Sequence, residues 1–196
     1  MIPALAGLAL LLFVSLQPGR AADLSRGEDR LGLPAPALQL RYWVNAPPLD
    51  VQTLRGKVVL IRWWTDGCPF CEATAPALRE LDRRYASRGL QVIGIYHPKP
   101  PGDWSVAHMR AATLHKQFTF PVALDADWTA LQRWWPDLEQ RGWTSVSFVL
   151  DKKGIIRYVH PGGEYHSARA RDDERHARCQ RDYQDIEKTI TRLLGE

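Results

Sequence analysis

The chain has 196 residues, of which 45% are hydrophobic and 24% are charged, and its formal net charge is +4. These values are typical of one globular domain, and they exclude two large domains, general disorder and a fibrous or collagenous design. Acidic and basic residues are interleaved along the chain, which argues against nucleic acid as a partner. Three cysteines are too few for a scaffold built from disulfides.

The N-terminal segment has the pattern of an export signal. Residues 1–19 contain no charged side chain, and residues 8–16 are almost wholly apolar. This apolar run is shorter than the about 20 residues of a spanning helix, and small residues at Gly19 and Ala21 suit cleavage after Ala21. We therefore expect residues 1–21 to be a signal peptide or a membrane anchor and the protein to be exported, in the periplasm or another extracytoplasmic compartment.

Residues 22–37 contain glycines and prolines without a sustained period, so we predict a linker or a loosely attached lead-in there, followed by one domain over residues 38–196. Residues 58–64 form a β-branched and aromatic run that predicts a strand buried on both faces. From Pro69 the apolar residues recur at three- and four-residue steps, which predicts a helix ending at Gly89.

Strands and helices continue to alternate after this helix. We predict strands at 90–96 and 121–124, helices at 106–118, 128–135 and 183–194, and a hairpin formed by strands 145–150 and 155–160. The alternation predicts an α/β fold with parallel strands, to which the hairpin adds antiparallel pairing, so the sheet is mixed and flanked by helices. Residues 164–182 carry charges of alternating sign and predict an exposed helix or mobile loop inserted before the last helix.

The motif with chemistry is Cys68-Pro69-Phe70-Cys71, between the first strand and its helix. Disulfide exchange needs an exposed thiolate, and unpaired N–H groups at a helix start favour negative charge, so we expect the pKa of Cys68 to lie below its usual value. Cys71 lies one turn further into the helix and is expected to be the less exposed, resolving thiol. Pro69 fits the first turn because its missing N–H needs no partner there.

Two other interpretations of the cysteine pair are a structural disulfide and half of a zinc site. A disulfide across so short a loop constrains the unfolded chain little. His176 and Cys179 could complete a zinc set, but nothing in the sequence places them near Cys68. We therefore predict no metal site. Cys179 is interpreted as a free thiol, with an intermolecular disulfide as the alternative.

With these motifs, residues 36–160 resemble the thioredoxin-like superfamily, most closely the exported TlpA-like thiol–disulfide oxidoreductases and the related redoxin domains. The residues that carry the resemblance are Leu54–Lys57, Trp63-Trp64, the Cys68–Cys71 motif, Pro76 at the family's helix-kinking proline, Phe120-Pro121-Val122 with Asp125, and Phe148–Asp151 with Gly154. The resemblance implies a thioredoxin-like fold with Cys68 as the attacking thiol and Cys71 as the resolving thiol. It also implies that protein disulfides or dithiols and a redox partner are the reactants, and that no cofactor is needed beyond the cysteine pair.

Three positions depart from the family pattern. Ser145, preceded by Thr144, occupies the place of the family's cis-proline. Because a non-proline cis bond costs about 2.5–4 kcal/mol, we predict a trans Thr144–Ser145 bond and a reshaped substrate groove. Gly67 replaces a common tryptophan, and Arg62 replaces the buried acid of thioredoxins proper. Arg62 cannot act as a base; it either stabilises the Cys68 thiolate or, as we favour, extends to solvent.

The predicted contacts with a partner protein come from the residues around the motif, namely Trp64, Gly67, Pro69, Phe70, Thr144 and Ser145. His97 is interpreted as a solvated loop histidine, and Trp63, Trp128, Trp134 and Trp135 as core. The predicted function is an exported thiol–disulfide oxidoreductase acting as a reductant. One alternative is a copper-binding module that uses both thiolates with His97 or His160. The other is a peroxide-reducing enzyme in which Cys71 resolves a sulfenic acid on Cys68.

Overall fold

In the computed structural model, residues 24–102, 104–167 and 174–196 are described, and six strands form one sheet in the order β1-β4-β3-β2-β5-β6. The strands are β1 (Trp43–Val44), β2 (Val58–Trp64), β3 (Leu90–Tyr96), β4 (Val122–Leu124), β5 (Ser147–Leu150) and β6 (Ile156–His160). Strands β2, β3 and β4 run parallel, whereas β1, β5 and β6 pair antiparallel with β4, β2 and β5. This mixed sheet confirms the predicted fold class.

Among the described residues, five α-helices cover the two faces of the sheet: α1 (Pro69–Tyr85), α2 (Val106–His115), α3 (Thr129–Trp134), α4 (Leu138–Arg141) and α5 (Ala177–Gly195). Leu60 of β2 packs in a core with residues of α1, α2 and α5, whereas Ile61 and Trp63 face a second core with residues of α3. Every residue of β2 is therefore buried, which explains why its sequence does not alternate between apolar and polar.

The bounds of strands and helices were predicted best where the pattern of apolar residues is strongest. The observed bounds of β2 and β3 match the predicted ones, whereas α2 ends at His115, before Gln117, which adopts the left-handed region with φ 55. The last helix begins at Ala177 rather than at residue 183, so residues 177–182 belong to it and not to a charged insertion. Strand β1 and helix α4 were not predicted.

The linker prediction is wrong for residues 24–37, which pack against the domain. The buried Arg141 side chain binds the Asp29 carboxylate through two hydrogen bonds of 2.6 and 3.0 Å. The Gly32 N–H donates to the carbonyl of Ile156, and Pro34 forms a β-bridge with Ile155. A paired, charge-assisted contact of this kind anchors a segment whose sequence shows neither the helix nor the strand pattern of apolar residues.

The predicted signal peptide or anchor, residues 1–21, lies outside the described residues. Within the described part of the chain, no helix has the length and apolar character needed to cross a membrane.

Candidate active site

The two cysteines of the motif lie at the start of α1, at the end of the sheet where β2 finishes. Cys68 is the N-cap of the helix, and its Sγ accepts a hydrogen bond of 3.3 Å from the Cys71 N–H. The preceding Gly67 adopts φ 66, a conformation in which glycine costs least. Cys68 is half-buried, Cys71 is buried, and their sulfur atoms lie 2.7 Å apart as free thiols.

The proton shared by these sulfurs decides the electrostatics of the site. The hydrogen bond between the two side chains is the largest influence on both; it lowers the pKa of Cys71 to about 5 and raises the pKa of Cys68. The pair therefore loses one proton well below neutral pH and retains the second. We had expected the lowered pKa at Cys68 alone. Transfer of one proton across the 2.7 Å contact moves the charge to Cys68, where the helix N-terminus favours it.

Arg62 lies in the core close to this pair and is fully buried. Its guanidinium donates hydrogen bonds to the Gly163 carbonyl at 2.7 Å and to Ser147 Oγ at 3.3 Å, and it packs over the Tyr165 ring. After the sulfur–sulfur hydrogen bond and burial, its charge is a further influence that lowers the pKa of both thiols. Our expectation that Arg62 extends to solvent was wrong because these partners hold its two terminal nitrogens inside the fold.

The Thr144–Ser145 segment replaces the family's proline with a hydroxyl. The peptide bond between them is trans, as predicted. Ser145 is buried, and its Oγ lies 3.3 Å from Cys71 Sγ. Ser145 therefore contacts the buried sulfur, and a hydroxyl in this place also lowers the pKa of Cys71, after the larger effect of the Cys68 side chain. Thr144 is only half-buried and remains near the surface.

His97 connects the end of β3 to this segment. Its Nδ1 lies 2.9 Å from the Trp64 carbonyl and its Nε2 lies 2.9 Å from Thr144 Oγ1. The carbonyl can only accept, so Nδ1 carries the proton and Nε2 accepts from Thr144. Burial lowers the pKa of His97 to about 3, so the ring is neutral at physiological pH. The interpretation of His97 as a solvated loop residue was wrong.

These contacts also bear on the copper alternative. Both ring nitrogens of His97 are engaged, and His160 is buried beside Asp182. Across the described ranges, no group of candidate metal ligands includes the Cys68–Cys71 pair. The geometry therefore does not support a copper site that combines these thiols with His97 or His160.

An exposed aromatic pair flanks Cys68. Phe70 is 40% exposed, and its ring meets the ring of Trp143, which is 45% exposed, edge to face at 5.3 Å. The structure places the predicted contacts Gly67, Pro69 and Phe70 on this open side. Trp64 instead lies in the core at 1% exposure, so it cannot touch a partner at this surface. Our sequence reasoning missed Trp143, although a large aromatic directly before Thr144 was a usable signal.

The turn that carries the cysteines is held by Asp66, which was also missed. Asp66 accepts hydrogen bonds from the Tyr96 hydroxyl at 2.6 Å and from His108 Nε2 at 2.9 Å. Burial opposes ionisation of Asp66, but these hydrogen bonds outweigh it and lower its pKa. The carboxylate thus joins β3 and α2 to the loop before Cys68.

Comparison with known proteins gives consistent results. A model of the Redoxin family matches residues 30–174. The chain is 29% identical to the protein DipZ of Mycobacterium bovis over 159 residues, which is 78% of this chain but only 22% of DipZ. It is 26% identical over 110 residues to the thiol-disulfide oxidoreductase ResA of Bacillus cereus, covering 55% of this chain and 57% of ResA. A crystal structure of a thioredoxin-like superfamily protein superposes with a TM-score of 0.65 at 22% identity, covering 84% of this chain and 97% of that one, which establishes a thioredoxin-like fold.

Proposed function

Because the chain belongs to the redoxin family, we propose that it is a thiol–disulfide oxidoreductase that exchanges disulfides with partner proteins through Cys68 and Cys71. The observation that carries this proposal is the pair itself. A half-buried sulfur at a helix N-terminus lies 2.7 Å from a buried second sulfur, and the pair readily loses one of its two protons while the other is held between the sulfurs. Exchange requires a thiolate that a partner can reach and a second thiol that can displace it.

The reaction proceeds in two displacements. The Cys68 thiolate attacks one sulfur of the partner's disulfide; a mixed disulfide forms, and the partner's other sulfur leaves as a thiolate that takes up a proton. Cys71, as thiolate, then attacks Cys68 Sγ. The mixed disulfide breaks, the Cys68–Cys71 disulfide forms, and the partner leaves with both sulfurs reduced. Two electrons pass from this dithiol to the partner, and we propose that no cofactor takes part.

Residues around Cys71 support the second displacement. Arg62 and Ser145 both favour the Cys71 thiolate, and Ser145 Oγ lies 3.3 Å from its sulfur. This charge is needed once Cys68 is occupied by the partner, because a neutral thiol is a poor nucleophile. His97 acts as a positioning residue, since its hydrogen bond to Thr144 fixes the segment that carries Ser145.

We propose that partners dock on the surface formed by Phe70 and Trp143 beside Gly67, Pro69 and Thr144. Exposed aromatic rings supply much of the energy at protein interfaces because they bury a large area at a small entropic cost. Thr144 directly precedes Ser145, whose Oγ lies 3.3 Å from Cys71 Sγ, in the segment that pairs with a bound peptide in the family. The trans bond before Ser145 gives this groove a shape of its own.

We further propose an extracytoplasmic reductant. Residues 1–19, which carry no charged side chain, favour export, either as a cleaved signal peptide or as a retained membrane anchor. An arginine and a hydroxyl near the pair stabilise its reduced, charged form and so raise the reduction potential. We expect a potential above the about −270 mV of thioredoxin but closer to it than to the about −120 mV of the most oxidising proteins of this fold, so the protein is a mild reductant.

A trapping experiment tests the exchange mechanism. In a Cys179→Ser background, Cys71→Ser should accumulate a mixed disulfide with insulin on non-reducing gels, because the second displacement is lost. Cys68→Ser should form no adduct, and the background protein should release reduced insulin chains. Failure of Cys71→Ser to form any adduct would refute the mechanism. Rapid consumption of peroxide by a dithiol that leaves insulin intact would favour the peroxidase alternative.

A second measurement tests the direction. The potential of the background protein, obtained by equilibration with glutathione, should lie closer to the lower limit of the range from about −270 to about −120 mV than to the upper, and reduction of insulin should be faster than oxidation of a dithiol peptide. A potential at the upper limit, with oxidation as the faster reaction, would show that the protein is an oxidant.

A further inference from the structure

Four side chains with metal-binding atoms converge away from the cysteine pair. Glu164 and His166 follow β6, and His176 and Cys179 lie at the start of α5. Their ligand atoms all lie within 4.8 Å of one another. The sequence suggests His176 and Cys179 as metal ligands only in combination with Cys68 and Cys71, a zinc site that the sequence analysis does not favour. The structure instead brings them to Glu164 and His166.

We propose that Glu164, His166, His176 and Cys179 bind one Zn²⁺ ion. Zinc in structural sites is tetrahedral, with bonds of about 2.0–2.2 Å to nitrogen or oxygen and about 2.3 Å to sulfur. The edges of such a tetrahedron are about 3.3 Å between nitrogen and nitrogen or oxygen, and about 3.5 Å between oxygen and sulfur.

The observed distances between ligand atoms fit these edges. His166 Nε2 lies 3.1 Å from His176 Nδ1, and His176 Nδ1 lies 3.2 Å from Glu164 Oε1. Glu164 Oε1 lies 3.6 Å from Cys179 Sγ. Two imidazoles, a thiolate and a carboxylate form a mixed donor set that suits zinc better than an all-oxygen cation or a cluster held by thiolates alone. Four protein ligands close the coordination sphere, so we expect a structural rather than a catalytic ion.

The surroundings of the ligands favour metal binding over a solvated cluster. His166 is buried, and Glu164, His176 and Cys179 are partly buried. His166 Nδ1 lies 3.4 Å from the Ser167 carbonyl, which orients the ring so that Nε2 faces the other three ligands. The His166 N–H donates to the Cys179 carbonyl at 3.4 Å, so the two segments are already held together.

The proposed ion would join α5 to the segment that supports the redox site. Tyr165 lies between the two ligands of that segment; it packs against Arg62, and its N–H donates to Thr74 of α1 at 3.4 Å. Gly163, the carbonyl partner of Arg62, precedes Glu164. Zinc at this site would therefore stabilise both the C-terminal helix and the residues that hold the buried arginine. This inference does not depend on the proposed exchange activity.

The test uses the full chain carrying Cys68→Ser and Cys71→Ser, so that the redox pair cannot bind metal. After treatment with a chelator, this protein should bind one equivalent of Zn²⁺ in competition with a chromogenic chelator, and its Tm should rise on addition of zinc. Co²⁺ should give the intense absorption of a tetrahedral site and a thiolate-to-cobalt charge-transfer band.

Matched variants in the same background identify the ligands. Cys179→Ser should abolish the charge-transfer band and weaken zinc binding at least 100-fold, and His166→Asn should weaken it similarly. His115→Asn, which changes an exposed histidine of α2, should bind as the parent does. Because Cys179→Ser could disturb folding, its circular dichroism must match that of the parent. Failure of the parent to bind one equivalent, or equal binding by a correctly folded Cys179→Ser, would overturn the proposal.

Discussion

Replacing Ser145 by alanine removes a single hydroxyl that lies 3.3 Å from Cys71 Sγ. Ser145 is buried, so water cannot readily replace the lost donor. A hydrogen bond to a charged group contributes about 1.5–3 kcal/mol, and we take the lower value because sulfur is a weak acceptor. At 1.36 kcal/mol per pKa unit, Ser145→Ala should raise the first pKa of the cysteine pair by about one unit.

The effect of this shift on the reaction rate depends on the pKa of the cysteine pair in the parent protein. The pKa of Cys71, lowered mainly by its hydrogen bond to Cys68, is about 5, so the first pKa of the pair in the variant should be about 6. At pH 7 about 90% of the variant pairs remain deprotonated, so the rate there changes little. The midpoint of the pH–rate profile should move by the full unit. The reduced form also loses about 1.3 kcal/mol of stabilisation at pH 7, which lowers the reduction potential by about 30 mV.

The assay is a titration of thiolate ultraviolet absorbance in the Cys179→Ser background, combined with equilibration against glutathione. Ser145→Thr keeps the hydroxyl and should titrate like the parent. If Ser145→Ala shows the parent's pKa and potential, the hydroxyl does not stabilise the thiolate, and our account of this substitution for proline is wrong.

Arg62, His97 and Trp143 each give a further testable prediction. Arg62→Met should raise the first pKa of the pair by about one unit or more in the same titration, and Arg62→Lys, which keeps the charge, should shift it less. Burial keeps His97 neutral down to about pH 3, whereas an unfolded histidine takes up a proton near pH 6.5, so the free energy of unfolding falls as pH drops from 6.5 toward 3. His97 contributes up to about 1.4 kcal/mol per pH unit to this fall, and His97→Asn should flatten the slope measured by urea unfolding. Trp143→Ala should lower kcat/KM for a protein disulfide about 5- to 30-fold, a larger loss than for a small disulfide; equal losses would argue against docking on this ring.

The fold was predictable where the sequence carries a long pattern. Strand β2 is a run of seven buried residues and six of the seven residues of β3 are buried, and the bounds of both strands were predicted correctly. Strand β1 has two residues and α4 has four, which is too short for any period to be visible. The packing of residues 24–37 depends on an ion pair between residues 112 positions apart, so it could not be read locally.

The residues of the site also differ in how far the sequence predicts them. The cysteine pair is a local feature of one turn, and both its helix start and the trans bond before Ser145 could be predicted from neighbouring residues. The burial of Arg62 could not be predicted in this way, because its hydrogen-bond partners lie 85 and 101 positions away in the sequence. His97 contacts Thr144 across 47 positions, and the ligands proposed for zinc come from two segments separated in sequence. Arginine and histidine are polar, so sequence alone favours solvent until tertiary structure supplies partners.

The combination of Arg62 and Ser145 has a consequence for the choice of partner. Both residues favour a thiolate on Cys71, and that charge exists only in the reduced protein, because the oxidised sulfur is bonded to Cys68. Stabilising the reduced form makes electron donation less favourable than in a thioredoxin with an acid at this position. The core tolerates the buried guanidinium because Gly163 and Ser147 accept its hydrogen bonds. Under the proposed reductant function, the protein should reduce strained or exposed disulfides, which have higher potentials, and leave structural disulfides below about −300 mV intact. In the oxidising compartment that we propose for this protein, such selectivity would protect folded proteins, so we expect the partner to carry a labile disulfide.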